Sequence, residues 1–159
     1  MRPSRAPSLK ARALQALALR EQSRAELRRK LLRIKSGSGE GAAAVDPAEV
    51  DRLLDELEAQ GLLSKDRFIE SRVQARAARF GNRRIQAELG QHGLALDAET
   101  AAELRRTEHA RARAVWARKF GDTPALDGAD RARQMRFLAA RGFSADVIKR
   151  VVKGGDAGD

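Results

Sequence analysis

The sequence predicts an all-α fold built as three tandem three-helix modules. The first observation is compositional: Ala and Leu dominate the apolar residues, aromatics make up 4% of the chain, and Tyr and Cys are absent. That mixture fills small helices with thin cores better than it fills sheets. Second, helix-capping residues recur at short intervals, each followed by apolar residues at helical spacing. Third, the pattern repeats. Phe80-Gly81 is echoed by Phe120-Gly121, and Leu89-Gly-Gln-His-Gly93-Leu94 by Leu138-Ala-Ala-Arg-Gly142-Phe143. No segment alternates with period two for long enough to read as a strand.

Each helix follows from its own signals. Ser8 caps a first helix through about Glu21, with Ala13, Leu14 and Leu17 inward. Ser23 and Glu26 form a capping box that opens a second helix carrying Leu27, Leu31 and Ile34. Asp46, with Pro47 at the first helical position, opens a third along Val50, Leu53, Leu54 and Leu57, ended by Gly61. Ser64 caps a helix through Phe80 with Ile69, Val73, Ala77 and Phe80 inward. A short helix with Ile85 and Leu89 follows, and Asp97 opens one reaching about Arg106. Thr107 then begins a new helix along Ala112, Val115, Trp116 and Phe120. Asp127 or Asp130 caps the next, with Met135 and Leu138, and Ser144 the last, with Val147, Ile148, Val151 and Val152. Nine helices result. They divide into modules at 8–63, 64–106 and 107–153, with a Gly- and Ser-rich flexible insertion at 36–45 and flexible tails at 1–7 and 154–159. Units this small bury too little to stand alone, so neighbours should share core.

The net charge of +10 is unevenly placed. Residues 1–36 carry a net +9, residues 37–64 a net −6, and residues 111–153 a net +7. Basic blocks imply a polyanion, and alternation of sign implies one face for nucleic acid and another for protein. Arg72, Arg76 and Arg79 recur at i, i+4 and i+7, opposite Ile69 and Val73, with Arg83 and Arg84 just beyond. Such a row should face solvent and fork onto phosphates without reading bases. Arg24, Arg28, Arg29 and Arg33 form a second candidate cluster; Arg131, Arg133 and Arg136 form a third. The scarcity of aromatics argues against base stacking as the main contact.

Catalytic chemistry finds no support. Without Cys there are no disulfides, thiolate metal sites or cysteine nucleophiles. Gly37-Ser-Gly-Glu-Gly41 lacks the Lys and flanking strand of a phosphate loop. His92 and His109 have no metal-ligand spacing. The acidic residues between Asp46 and Glu58 spread around a helix instead of converging on a cation. No cofactor is expected. No apolar run approaches the roughly 20 residues of a membrane span, so the expectation is a soluble, cytoplasmic protein that is monomeric and makes no membrane contact.

Four stretches in register resemble the RecX family of bacterial regulators of the RecA recombinase. Leu19-Arg-Glu-Gln-Ser-Arg-Ala-Glu-Leu-Arg-Arg-Lys-Leu-Leu32 is similar to its opening, and Leu53-Leu-Asp-Glu-Leu-Glu-Ala-Gln-Gly-Leu-Leu-Ser-Lys-Asp-Arg-Phe68 to the join between its first two modules. Arg76-Ala-Ala-Arg-Phe-Gly-Asn-Arg-Arg-Ile-Gln-Ala-Glu-Leu89 resembles its central motif, and Phe137-Leu-Ala-Ala-Arg-Gly-Phe-Ser-Ala-Asp-Val-Ile148 its C-terminal signature. The likeness covers roughly 9–153. It implies an elongated, curved array of three-helix modules. It also implies a non-catalytic negative regulator in the groove of the RecA–single-stranded DNA filament, suppressing filament extension, ATP hydrolysis, strand exchange and coprotease activity. Its biology would be DNA repair, recombination and the SOS response, with single-stranded DNA, and as an open alternative double-stranded DNA, as further partners. Carried over residue by residue, it nominates Asp66, Arg67 and Phe68 as RecA contacts, alongside Arg79, Arg83 and Arg84; Phe68, on the side away from Ile69 and Val73, reads as a wedge packed between modules ahead of an exposed anchor. Asn82 stands where that family commonly has proline, which predicts a looser start to its helix, and the 36–44 insertion departs from the pattern. Two other readings stay open: a helical DNA-binding protein acting without RecA, and one whose basic faces hold structured RNA.

Overall fold

The computed structural model describes residues 6–36 and 43–153. Eight helices account for most of them: α1 (Leu9–Leu19), α2 (Arg24–Leu32), α3 (Pro47–Ala59), α4 (Lys65–Arg76), α5 (Asn82–Gln91), α6 (Ala98–Phe120), α7 (Gly128–Ala140) and α8 (Ala145–Val152). The fold is all-α. One two-residue ladder interrupts it, β1 (Lys35–Ser36) against antiparallel β2 (Ala43–Ala44). The chain divides into two compact units, Met1–Ser71 and Arg72–Asp159.

In the first unit the expected caps are made. Ser8 Oγ accepts from the Ala11 N–H, and Asp46 from the Ala48 N–H. Ser23 and Glu26 complete the capping box in both directions. The core gathers Ala13, Leu27, Leu31, Val50, Leu53, Leu54, Leu57 and Leu63. Three expectations change. α1 stops at Leu19, because Arg20 turns extended and forks onto Glu26. Leu14, placed inward by the spacing, is exposed, and Ala13 takes the buried position. Of the presumed flexible insertion at 36–45, residues 37–42 lie outside the described residues. Its ends pair as the ladder, and Val45 is buried in the core. The expected tails fall mostly outside the described residues as well, at 1–5 and 154–159.

The second unit is centred on Trp116, whose indole N–H donates to Gln134 Oε1 at 2.9 Å. Around it pack Ala112, Val115, Leu138, Phe143, Val147, Ile148, Val151 and Val152. Among the described residues eight helices stand where nine were expected, because α6 runs unbroken through Thr107. The Thr107 hydroxyl does not cap a new helix. It bonds back to the Glu103 carbonyl at 3.1 Å, an arrangement compatible with a helix interior. α4 ends at Arg76 instead of reaching Phe80. The carbonyls of Ala77 and Phe80, which no further helical turn serves, accept from Arg111 at 3.0 and 2.9 Å.

Candidate nucleic-acid interface

The arginines of the central segment converge on one ring. Phe80 is buried, and the guanidinium carbons of Arg84, Arg79, Arg141 and Arg76 lie 4.1, 5.4, 5.5 and 5.9 Å from its centroid. Each is within cation–π range. Arg141 has no counterpart among the sequence candidates. It reaches Phe80 because two backbone segments meet: the Gly81 N–H donates to the Arg141 carbonyl at 2.8 Å, and the Arg83 N–H to the Gly142 carbonyl at 3.0 Å. The approach needs glycine on both sides. A Cβ on Gly81 would stand 2.3 Å from the Gly142 backbone, and one on Gly142, where φ is +87°, would stand 2.5 Å from Arg84 Cβ.

Two further groups fix this joint. Arg111 donates to the carbonyls of Ala77, Phe80 and Leu104 and to Asn82 Oδ1. Burial pushes its pKa down, against the pull of Glu108, yet so strong a base stays charged. Glu108 is buried, and its carboxylate accepts from the Ser144 N–H at 2.9 Å, the Ser144 hydroxyl at 3.3 Å and, weakly, the Asn82 N–H at 3.5 Å. Asn82 therefore does not loosen the start of α5: it is buried, and both its backbone and its side chain are engaged.

The predicted row of Arg72, Arg76 and Arg79 is not uniformly solvated. Glu88 on α5 accepts Arg72 at 3.2 Å and Arg76 at 3.0 Å, so two of the three charges are locally offset. Arg79, Arg83 and Arg84 are exposed and form no ion pair with a described residue, and neither does Arg141. The cluster on α2 is divided. Arg24 meets Asp55 and Glu58 at 2.7 and 3.2 Å, and Arg28 meets Asp51 at 2.8 Å. The Asp51 carboxylate raises the Arg28 pKa by hydrogen bonding and is itself held below the usual carboxylate range. Partial burial opposes the charge on Arg24, but its two carboxylates outweigh that and raise its pKa. Arg29 and Arg33 stay exposed. On α7, Arg133 pairs with Asp130 at 2.8 Å and lies over Phe120, while Arg131 and Arg136 are exposed.

The three nominated RecA contacts separate. Asp66 is exposed. Arg67 is engaged inside its own unit, donating to Glu21 at 2.9 Å and to the Gly61 carbonyl at 2.6 Å. Phe68 is 1% exposed, so it is not an open anchor.

Three comparisons bear on this geometry. The family model described as RecX, third three-helix domain, matches residues 107–152. The chain is 51% identical over 157 residues to the regulatory protein RecX of Ralstonia nicotianae, covering 98% of this chain and 92% of that one. It is 49% identical over 148 residues to the regulatory protein RecX of Leptothrix cholodnii, covering 92% and 88%. The crystal structure of RecX from Lactobacillus salivarius superposes with a TM-score of 0.66 over 91% of this chain and 92% of that one, at 19% identity, a likeness of fold.

Proposed function

The chain belongs to the RecX family, and from that premise we propose that it is a negative regulator of RecA, lying in the groove of the RecA–single-stranded DNA filament. In that position it opposes filament extension and thereby ATP hydrolysis, strand exchange and coprotease activity. The observation that carries the DNA-facing half of the reading is the collar on Phe80. Arg79, Arg84 and Arg141 are held against one ring with no carboxylate partner among the described residues, which leaves their charge for phosphates. Arg83 adds an exposed charge beside them, and Arg29, Arg33, Arg131 and Arg136 are outlying phosphate contacts. Glu88 holds Arg72 and Arg76 in place and takes up part of their charge. Asp66 is the open residue of the nominated RecA-facing set.

The division into modules at 8–63, 64–106 and 107–153 belongs to the same proposal, supported by the third-domain match at 107–152. Its second junction lies within α6. Cytoplasmic location follows from the role proposed, and a monomeric state is proposed with it. Among the described residues no helix is long and apolar enough to cross a membrane.

The test is ATP hydrolysis by the cognate RecA on single-stranded DNA, with this protein titrated from far below equimolar. Progressive loss of hydrolysis while DNA remains in excess is expected, since sequestration of DNA could not produce it. Hydrolysis unchanged across the range, with DNA or RNA still bound, would replace the regulator with a nucleic-acid-binding protein independent of RecA.

A further inference from the structure

The second unit holds a cavity of about 290 Å³ lined by Arg79, Val115, Arg118, Lys119, Phe137 and Arg141. Four of its six lining residues are cations, none is a carboxylate, and none of the four makes an ion pair with a described residue. They come from three places in the chain: the turn after α4, the last turn of α6 and the end of α7. Lys and Arg in a last helical turn are favoured by the helix dipole. That accounts for Arg118 and Lys119 but not for Arg79 and Arg141 arriving at the same hollow. Four like charges drawn into one concavity repel one another and leave a strong positive potential there, which an anion relieves.

Three of the four cations are also held. Arg141 lies over both Phe137 and Phe80, at 5.2 and 5.5 Å from their centroids. Lys119 lies 5.6 Å over Phe137, and Arg79 5.4 Å over Phe80. Phe137 is itself braced edge-on by Phe120. Side chains fixed in advance lose less freedom on binding.

We propose that this cavity seats a backbone phosphate of a nucleic-acid strand, with Arg118, Lys119 and Arg141 as contacts beyond the central arginine motif. A strand is favoured over a free phosphate because the positive charge continues past the hollow. On the same Phe80 ring sit Arg84 and Arg76, which line a second cavity of about 340 Å³ with Glu88. A polymer with regularly spaced charges can use both, and an isolated anion only the first. The inference rests on the filament-regulator reading only in taking its strand from DNA, and the two can fail separately.

The test compares wild type with Arg118→Gln/Lys119→Gln and with the control Lys149→Gln/Arg150→Gln. The control removes the same charge from exposed positions of α8. Binding to a fluorescein-labelled oligothymidylate is followed by anisotropy across a sodium chloride series, with circular dichroism to verify the helices. Giving up one phosphate on a single strand removes about 0.7 from the slope of log K against log salt. The cavity variant, which gives up the one phosphate of the seat, should therefore bind more weakly with a slope shallower by about 0.7, while the control keeps the wild-type slope. Equal slopes in all three proteins would overturn the seat. So would ATP or inorganic phosphate binding, at constant ionic strength, as tightly as the oligonucleotide with the same sensitivity to the cavity variant, because the ligand would then be a free anion. RecA hydrolysis measured on the same proteins separates the readings. Inhibition by wild type with unmoved slopes removes the seat and keeps the regulator. Moved slopes without inhibition do the reverse, and a wild type that neither inhibits nor binds removes both.

Discussion

Glu108 does at residue scale what no local capping residue does. The N-cap of α5 is Gly81, which has no side chain, and the Ser144 hydroxyl at the N-cap of α8 makes no capping bond to its own helix. One buried carboxylate answers both ends, accepting from Ser144 and, weakly, from the first N–H of α5. Negative charge at a helix N-terminus is favoured by the dipole as well as by the hydrogen bonds. Glu108→Gln preserves the shape, removes the charge and turns an amide toward N–H groups that already donate. It should cost about 1–3 kcal/mol of stability, read as a lower urea midpoint with an unchanged denaturant slope. A midpoint equal to wild type would mean that water serves those groups equally well. The role was not legible in the sequence, where Glu108 reads as one acidic residue in the first turn of a helix. Its partners are a backbone amide 26 positions away and a serine 36 away, and nothing in local spacing announces them.

At the scale of elements, the helix starts were legible and the joints were not. Starts are local chemistry. Asp97 accepts from the Thr100 N–H at 2.7 Å, Asp127 from the Asp130 N–H at 2.8 Å and Ser64 from the Arg67 N–H at 3.2 Å, all within three residues. The Leu-to-Gly echo was equally reliable, since Gly93 and Gly142 both take positive φ and the following amides return to Leu89 and Leu138. Leu57 and Gly61 close α3 in the same way, so the first unit carries its copy there. The Phe-Gly echo misled. Gly121 is a left-handed cap at the end of α6, whereas Gly81 is extended and starts α5. Thr107 misled for a related reason, since a threonine followed by glutamate suits an N-cap as well as a helix interior. An interior residue is sensitive to backbone freedom. Thr107→Gly should therefore destabilise the protein by about 1 kcal/mol in urea unfolding, beyond any loss seen for Thr107→Ala. Identical midpoints for the Gly and Ala variants would place a flexible junction there.

Across the whole molecule, the alternating charge of the sequence resolves into two different uses of arginine. In Met1–Ser71 four cations of the basic N-terminal block are matched by carboxylates within their own unit, Lys10 by Glu56, Arg20 by Glu26, Arg24 by Asp55 and Glu58, and Arg28 by Asp51, as is Arg67 by Glu21. In Arg72–Asp159 several cations are instead gathered on aromatic rings, without a carboxylate among the described residues. Charge counts along the chain showed the blocks but could not say which were spent internally, because pairing depends on how α2 packs against α3. Paired variants separate the two uses. Arg24→Ala/Arg28→Ala should lower the melting temperature and leave the salt slope of DNA binding nearly unchanged, because those guanidiniums already hold carboxylates. Arg79→Ala/Arg83→Ala should do the opposite, keeping most of the melting temperature while the slope on single-stranded DNA becomes shallower by about 0.7 for each phosphate no longer held. Both variants remove two positive charges, so a response to net charge alone would shift the two slopes equally. Equal shifts would return the phosphate contacts to the molecule's overall charge, and unequal shifts in the stated order would assign them to the second unit.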